Sequence, residues 1–127
     1  MQRKIKFRFW DRESKEMMTT VSCMQLDTHP LNIWMGKNSS GFGKMRTIDE
    51  IDPMQFTGLK DKNGKDIYEG DIVTSTKDYN SEYQVNARVD YVAPEFECVD
   101  SDGRWREAIS ENTEVIGNIY ENPELLK

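Results

Sequence analysis

Two short segments of the sequence alternate strictly between apolar and polar residues, and this pattern limits the folds that the chain can adopt. The first segment, residues 4–10, separates Ile5, Phe7 and Phe9 from Lys4, Lys6 and Arg8. The second, residues 85–91, aligns Val85, Ala87, Val89 and Tyr91 on one side. Because successive side chains of a strand point to opposite faces of the sheet, both segments predict half-buried β-strands rather than helices.

Further β-prone runs follow one another along the chain, with turn residues between them. They cover residues 17–26, 31–35, 69–74, 96–99, 104–109 and 114–120. Asn63-Gly64 is a strong turn signal, since both residues tolerate the positive φ angles of a tight hairpin. Residues 122–126 predict one short helical turn with Pro123 at its first position. The sequence therefore predicts an all-β fold, a small barrel-like or SH3-like architecture with hairpins and at most short helical turns.

The length of 127 residues suits one domain, which we place at residues 1–127. Within it, an N-terminal β lobe over 1–52 and a barrel portion over 53–127 are possible. The Gly- and Ser-rich stretch Gly36–Lys44 predicts a mobile loop.

The location of the protein is predicted from what the sequence lacks. No apolar run approaches the roughly 18 residues that a membrane span needs. The first eight residues alternate basic and apolar side chains, which does not fit a secretory signal. We expect a protein of the bacterial cytoplasm without membrane contacts.

Charge is distributed unevenly along the chain, whose net charge is -6. Residues 1–65 hold 12 Lys and Arg against 8 Asp and Glu, whereas residues 66–127 hold 5 against 15. Such polarity fits a basic surface for nucleic acid, an acidic surface that mimics nucleic acid, or complementary faces for self-assembly. Alternatively, strands from both halves interleave and the charges mix on the folded surface.

The spacing of the Cys, His, Asp and Glu residues does not match a known catalytic or metal-binding motif. Two distant cysteines, Cys23 and Cys98, and the lone His29 indicate neither a zinc site nor a disulfide framework. The segment Asp61–Asp66 resembles half of a calcium loop, but an EF-hand requires Gly sixth and Glu twelfth, and this chain has Asp66 and Ile72 there. Carboxylates are frequent near the C-terminus, at Glu95, Glu97, Asp100 and Asp102. We predict no catalytic residue, no metal ligand and no cofactor.

One segment combines basic and aromatic residues in a way that suits nucleic acid. Its candidate contact residues are Arg3, Lys4, Lys6, Arg8 and Trp10. Lys and Arg neutralise phosphate, and an exposed aromatic ring stacks on a base. An edge strand protected by lysines explains the same residues equally well.

Longer segments of the sequence resemble a known family. Residues 54–73, MQFTGLKDKNGKDIYEGDIV, are similar to the signature of the YopX family of phage and prophage proteins. The opening KFRFWD at residues 6–11 and the ending VIGNIYENPELL at residues 115–126 resemble the ends of that family. The resemblance implies a mostly-β fold and a gene carried by a bacteriophage or prophage, and it brings no established catalytic residues. Its signature turns contain Gly58, Asn63, Gly64, Gly70 and Asp71.

These observations together predict a non-enzymatic interaction module that binds a host protein, a phage protein or itself. Edge strands such as residues 4–10 or 115–120 suit docking, because their unpaired backbone groups accept a further strand. The alternative is a nucleic-acid-binding β-barrel that uses the basic N-terminal half. Within the interaction-module hypothesis, an acidic surface of the C-terminal half could bind a basic host protein. Added salt should then weaken binding.

Overall fold

A computed structural model describes residues 4–19, 21–25, 32–35, 44–76, 84–103 and 106–126. The chain divides into two compact units. The N-terminal unit comprises residues 6–54, and the C-terminal unit comprises residues 1–5 and 55–127. The predicted single domain with lobes at 1–52 and 53–127 stays a prediction.

The N-terminal unit is built from antiparallel strands. They are β1 (Phe7–Asp11), β2 (Glu16–Met18), β3 (Val21–Gln25), β4 (Asn32–Met35), β5 (Lys44–Thr47) and the start of β6 (Ile51–Lys60), with a 3₁₀ turn at Ile48–Glu50. β1 lies between β2 and β6, and β3, β4 and β5 form a separate sheet in that order. Phe9 and Ile51 are buried together, and Met18 and Ile48 pack against them.

The turn between β1 and β2 is organised by a buried carboxylate. Asp11 is fully buried and accepts hydrogen bonds from Arg46 Nε at 3.1 Å and Ser14 Oγ at 2.8 Å. Its backbone carbonyl accepts the N–H of Lys15, which has a φ of 56°. Burial by itself raises the pKa of Asp11, but the hydrogen bonds, that from Arg46 foremost, outweigh it and lower the pKa. β1 and β2 form an antiparallel hairpin, in which Asp11 pairs with Glu16.

The C-terminal unit contains a five-stranded antiparallel sheet. Its strands are β8 (Asp71–Thr76), β9 (Gln84–Val92), β10 (Glu95–Val99), β11 (Arg106–Ala108) and β12 (Glu114–Asn118). The order β11-β10-β9-β8-β12 shows a meander from β8 to β11, after which β12 returns beside β8. The second part of β6 pairs with β7 (Asp66–Tyr68), and a 3₁₀ turn at Pro123–Leu126 follows β12.

The core of the C-terminal unit is built from the alternating residues of β9 and their neighbours. Its fully buried members are Ile67, Val73, Ala87, Val89 and Cys98, with Phe96, Ile109 and Val115 packed against them. Burial of such a set is the dominant favourable term in folding. The prediction that Ala87 and Val89 face the core is confirmed, whereas Tyr91, at the end of the same row, is exposed.

The prediction of a mostly-β, barrel-like fold is confirmed, and so is the short helical turn near the C-terminus. The narrower SH3-like description stays a prediction. The predicted loop Gly36–Lys44 lies outside the described residues except for Lys44, which begins β5. Among the described residues, no helix is long and apolar enough to cross a membrane.

The sequence interpretation of residues 4–10 needs two corrections. β1 is an inner strand of its sheet, so it does not offer the free edge that strand addition requires. Strict alternation also fails, because Arg8 and Phe9 are both buried while Phe7 is 41% exposed. Adjacent side chains of β1 are buried on both faces of the strand, and alternation then no longer separates core from solvent.

Candidate functional site

The residues predicted to contact nucleic acid do not form one exposed basic surface within the described part of the chain. Lys4 is exposed, Lys6 and Trp10 are half-buried, and Arg8 is buried. Arg3 lies outside the described residues. Arg8, one of the four cations predicted to contact phosphate, is therefore not presented to solvent.

The family-signature turn between β6 and β7 is organised by Asp61, which sequence reasoning considered only as a calcium ligand. Asp61 Oδ1 accepts hydrogen bonds from the backbone N–H groups of Asn63 at 2.8 Å and Lys65 at 2.9 Å. Its Oδ2 accepts the N–H of Val115 in β12 at 3.0 Å. One buried carboxylate thus joins a local turn to a strand 54 positions away. An Asp two residues before Asn-Gly is the local signal for such a turn.

The conformation of this turn differs from the predicted one. Gly64 has a φ of +82°, but Asn63 does not adopt a positive φ. A tight turn with two left-handed residues is unnecessary here, because the Asp61 side chain closes the loop by accepting two backbone N–H groups.

The hydrogen bonds of Asp61 make stability depend on pH. Burial by itself raises the pKa of Asp61, but the backbone hydrogen bonds from Val115, Lys65 and Asn63 outweigh it and lower the pKa below 3.8. A lowered pKa stabilises the fold fully above the unfolded-state value of about 3.9, and this contribution is lost as pH falls through the folded-state value.

We therefore expect acid to destabilise the protein through Asp61 below about pH 4. The test measures urea unfolding from neutral pH down to about pH 2 for the wild type and Asp61→Asn, which does not titrate. The wild type should lose more free energy of unfolding over this range than Asp61→Asn. Equal losses in the two proteins would contradict the prediction.

A second signature turn joins β7 to β8. Asp71 is 1% exposed and accepts the backbone N–H of Tyr68 at 2.8 Å. Gly70, with a φ of +85°, donates its N–H to Val89 O and accepts the N–H of Ile119. The turn is thereby tied to β9 and to the segment after β12. These hydrogen bonds fit a structural role for Gly70 and Asp71, which stays a prediction.

The segment after β12 is held by two asparagines. Asn118 Oδ1 accepts the N–H groups of Tyr120 at 3.0 Å and Glu121 at 2.8 Å, while Asn122 Oδ1 accepts the N–H of Asn118 at 3.3 Å. A Cβ on Gly117 would lie 2.6 Å from Asn122 Oδ1 and 2.9 Å from its Cβ. Only glycine fits at position 117 without movement of Asn122.

The edge of β12 is less accessible than the sequence suggested. Its Val115 N–H is bonded to Asp61, and the preceding Thr113 carbonyl accepts the N–H of Lys62 at 2.9 Å. The register then shifts between Val115 and Gly117, where Ile116 bulges and is 37% exposed. Side-chain capping and a bulge both oppose addition of a further strand.

A small cleft in the C-terminal unit brings two residues singled out from the sequence, Lys4 and Gly58, together with unpredicted ones. Its volume is about 50 Å³, and its lining residues are Lys4, Gln55, Phe56, Thr57, Gly58 and Phe96. The Phe96 ring contacts Tyr91, with 5.3 Å between centroids, and the Phe56 ring contacts Tyr68 at 5.6 Å. Such a volume fits one side chain rather than a cofactor, since pockets for drug-sized ligands span roughly 300–1,000 Å³.

A bulge in β6 shapes one wall of this cleft. Phe56 pairs with Tyr68 and Lys60 pairs with Asp66, so the segment of β6 between the two pairs is longer than the facing segment of β7. The extra residues of β6 bulge around Gly58, which has a φ of +88°. Thr57 Oγ1 donates to the carbonyl of Ile67 at 2.8 Å and accepts the N–H of Leu59 at 3.2 Å. The bulge leaves Leu59 47% exposed.

Three exposed apolar residues adjoin residues that line the cleft, either in sequence or by a ring contact. In the C-terminal unit the large exposed apolar residues are Ile5 (67%), Leu59 (47%), Tyr91 (55%) and Ile116 (37%), counted over the described residues. Ile5 follows Lys4, Leu59 follows Gly58, and Tyr91 contacts Phe96. We call the cleft together with Ile5, Leu59 and Tyr91 the cleft surface.

Cys98 is buried in the core of the C-terminal unit. Burial, together with the nearby Glu107 and Glu97, raises the pKa of the Cys98 thiol to about 12, so Cys98 is a neutral core residue at pH 7. Across the described parts of the chain, no three His, Cys, Asp or Glu residues lie close enough to hold a metal ion. The side chain of Cys23 lies outside the described residues.

The YopX protein family matches residues 6–127 of the chain. The chain belongs to this family. A crystal structure of protein EF1440 from Enterococcus faecalis superposes with a TM-score of 0.63 at 28% identity, covering 99% of this chain and 100% of that chain. The yopX protein of Bacillus subtilis has the same fold at 23% identity, with the same coverage and TM-score. No curated protein matches. The phage or prophage origin and the cytoplasmic location stay predictions.

Proposed function

We propose that this member of the YopX family is a non-enzymatic binding module that takes a protein partner, from host or phage, or a second copy of itself, on the cleft surface. One observation carries the proposal: the exposed Tyr91 ring contacts Phe96, which lines a cleft of about 50 Å³. Aromatic anchors beside a small pocket are typical of the centres of protein interfaces.

Nucleic acid is the second candidate, and the charge distribution disfavours it. The C-terminal unit, which contains the cleft, holds 10 Lys and Arg against 16 Asp and Glu. The N-terminal unit holds 7 of each kind. Binding to nucleic acid depends on positive side chains that neutralise phosphate, and among the described residues that line the cleft Lys4 is the one cation.

The cleft surface is tested by comparing variants in capture from host lysate. We expect Tyr91→Ser or Leu59→Ser to reduce the amount of captured protein by about tenfold, because truncation of a central apolar anchor costs more than about 1 kcal/mol of binding free energy. Ile116→Ser is the matched control, since it removes an exposed apolar residue from the bulge of β12. Capture should be measured by quantitative mass spectrometry.

The capture is repeated after nuclease treatment, and each variant is first checked for wild-type thermal unfolding. Loss of the captured protein on nuclease treatment would favour nucleic acid. Equal capture by the wild type and both cleft variants would overturn the cleft surface as the binding site. Concentration-dependent self-association that Tyr91→Ser abolishes would identify the partner as a second copy.

A further inference from the structure

One positively charged residue, Lys4, lines the cleft, and the other described lining residues are neutral. Lys4 is exposed, and within the described part of the chain no ion pair involves its ammonium group. Its flexible four-carbon stem lets the ammonium group reach a ligand in the cleft. The cleft therefore presents a positive charge that no described residue neutralises.

The carboxylates of the β9–β10 hairpin do not face the cleft. Phe96, a lining residue, is the register partner of Tyr91, and Glu97 is the register partner of Asp90. Successive side chains of a strand point to opposite faces of the sheet. The carboxylates of Glu95, Glu97 and Asp90 therefore lie on the face opposite to the two rings. The charge of Lys4 is not offset from this side.

The segments that supply most of the lining residues contain no acidic residue. In the C-terminal unit, residues 1–5 and 55–60 hold three Lys and Arg and no Asp or Glu. The unit as a whole has an excess of six acidic residues, so its long-range field opposes a strongly acidic chain. Local attraction and long-range repulsion together favour a ligand with one carboxylate over an acidic tract.

Aromatic rings line the cleft together with Lys4. Phe56 contacts Tyr68 at 5.6 Å between centroids, and Phe96 contacts Tyr91 at 5.3 Å. The methylene groups of an acidic side chain gain free energy when they are buried against such rings. Apolar walls also lower the local dielectric constant, which strengthens an ion pair relative to one on an open surface.

We propose that the cleft takes one acidic side chain, Asp or Glu, of a protein partner, with its carboxylate paired to Lys4 and its methylene groups against Phe56 and Phe96. This inference rests on the proposed function and narrows its partner class. Lys4 selects the charge, and the volume of about 50 Å³ limits the occupant to one side chain. Apolar residues beside that acidic residue contact Tyr91, which is 55% exposed.

The test uses three short peptides and the full-length ¹⁵N-labelled protein. Each peptide has a Gly-Ser background and a Leu two positions after a central Glu, Gln or Lys, so that both side chains share one face of an extended chain. We expect the Glu peptide to bind at least about threefold more tightly than the Gln peptide, in keeping with one partly exposed ion pair, and the Lys peptide to bind most weakly. Amide shifts should cluster at residues 4–5, 55–58 and 91–96.

Two charge-removing variants separate a local ion pair from the effect of net charge. Lys4→Gln and Lys65→Gln each remove one exposed positive charge from the C-terminal unit, but Lys65 lies in the β6–β7 turn and does not line the cleft. Lys4→Gln should make the Glu and Gln peptides bind equally. Lys65→Gln should keep the wild-type preference to within about twofold.

A charge reversal adds a result that misfolding does not produce. Lys4→Glu should reverse the preference, so that the Lys peptide binds more tightly than the Glu peptide. Each variant is first checked for wild-type thermal unfolding. A loss of all binding in a folded Lys4→Glu protein, without this reversal, would contradict the pairing of Lys4 with a carboxylate.

Several other results would overturn the inference. They are equal wild-type affinities for the Glu and Gln peptides, loss of the preference in Lys65→Gln as well as in Lys4→Gln, no amide shifts at the cleft with any peptide, or tighter binding of a single-stranded oligonucleotide than of the Glu peptide. If the three peptides bind equally and Tyr91→Ser weakens all of them, the acidic side chain is wrong while the proposed function stands. Failure of the proposed function is recognised separately, by equal capture in wild type and cleft variants.

Discussion

Replacing Asp61 by Ala should destabilise the protein by about 3–5 kcal/mol, because three backbone N–H groups lose their acceptor and each unsatisfied buried donor costs about 1–3 kcal/mol. The affected donors belong to Asn63, Lys65 and Val115. A loss of this size is a large fraction of the total stability of a small protein. Urea unfolding followed by tryptophan fluorescence measures it.

The matched control for this substitution is Asp102→Ala. Asp102 is also a turn aspartate, but it is exposed, and substitutions at exposed positions usually change stability by less than about 0.5 kcal/mol. Hydrogen exchange gives a second readout, since the Val115 amide should lose protection in Asp61→Ala. Similar unfolding free energies for Asp61→Ala and Asp102→Ala would show that the carboxylate does not join the turn to β12.

Replacing Gly117 by Ala should destabilise the protein by about 2–3 kcal/mol, as overpacking of a close contact typically does. The added Cβ would lie 2.6–2.9 Å from three side-chain atoms of Asn122. Gly117 is held in place by its pairing with Ile72 of β8, which opposes a shift of its backbone. Movement of Asn122 would also break the bond from its Oδ1 to the N–H of Asn118. Denaturant unfolding is again the measurement.

A double-mutant cycle shows whether the destabilisation by Gly117→Ala comes from the contact with Asn122 or from another effect of alanine at position 117. Asn122→Gly removes all three clashing atoms, so Gly117→Ala should cost less in that background than in the wild type. An additive cycle would mean that the contact with Asn122 does not set the requirement for glycine.

Sequence reasoning predicted the strands well where one face is buried and turn residues are frequent. The strand predicted at residues 85–91 is found as β9. The turn predicted at Asn63-Gly64 is found between β6 and β7. Residues 4–10 do not fit this rule, because β1 is an inner strand and its burial does not follow period two. Periodicity describes one strand at a time and does not include its neighbours.

The cleft surface was harder to predict, since its residues come from three separate parts of the sequence. Lys4 was selected for its charge, whereas Tyr91 was expected on the core face of β9. The exposure of Leu59 depends on a bulge at Gly58 that no local pattern specifies. Asp61, in contrast, had a local signal: its carboxylate stands two residues before a tight turn, and only its bond to Val115 requires the folded chain.

The bond between Asp61 and Val115 also has a consequence for the order in which the chain folds during synthesis. A ribosome makes residues 6–54 first, so the N-terminal unit is complete before the other unit has its strands. The C-terminal unit cannot close until β12, the last strand, pairs with β8 and satisfies Asp61. Until then Asp61 and the outer edge of β8 face solvent, and a nascent chain truncated before Glu114 should remain a substrate for chaperones and proteases.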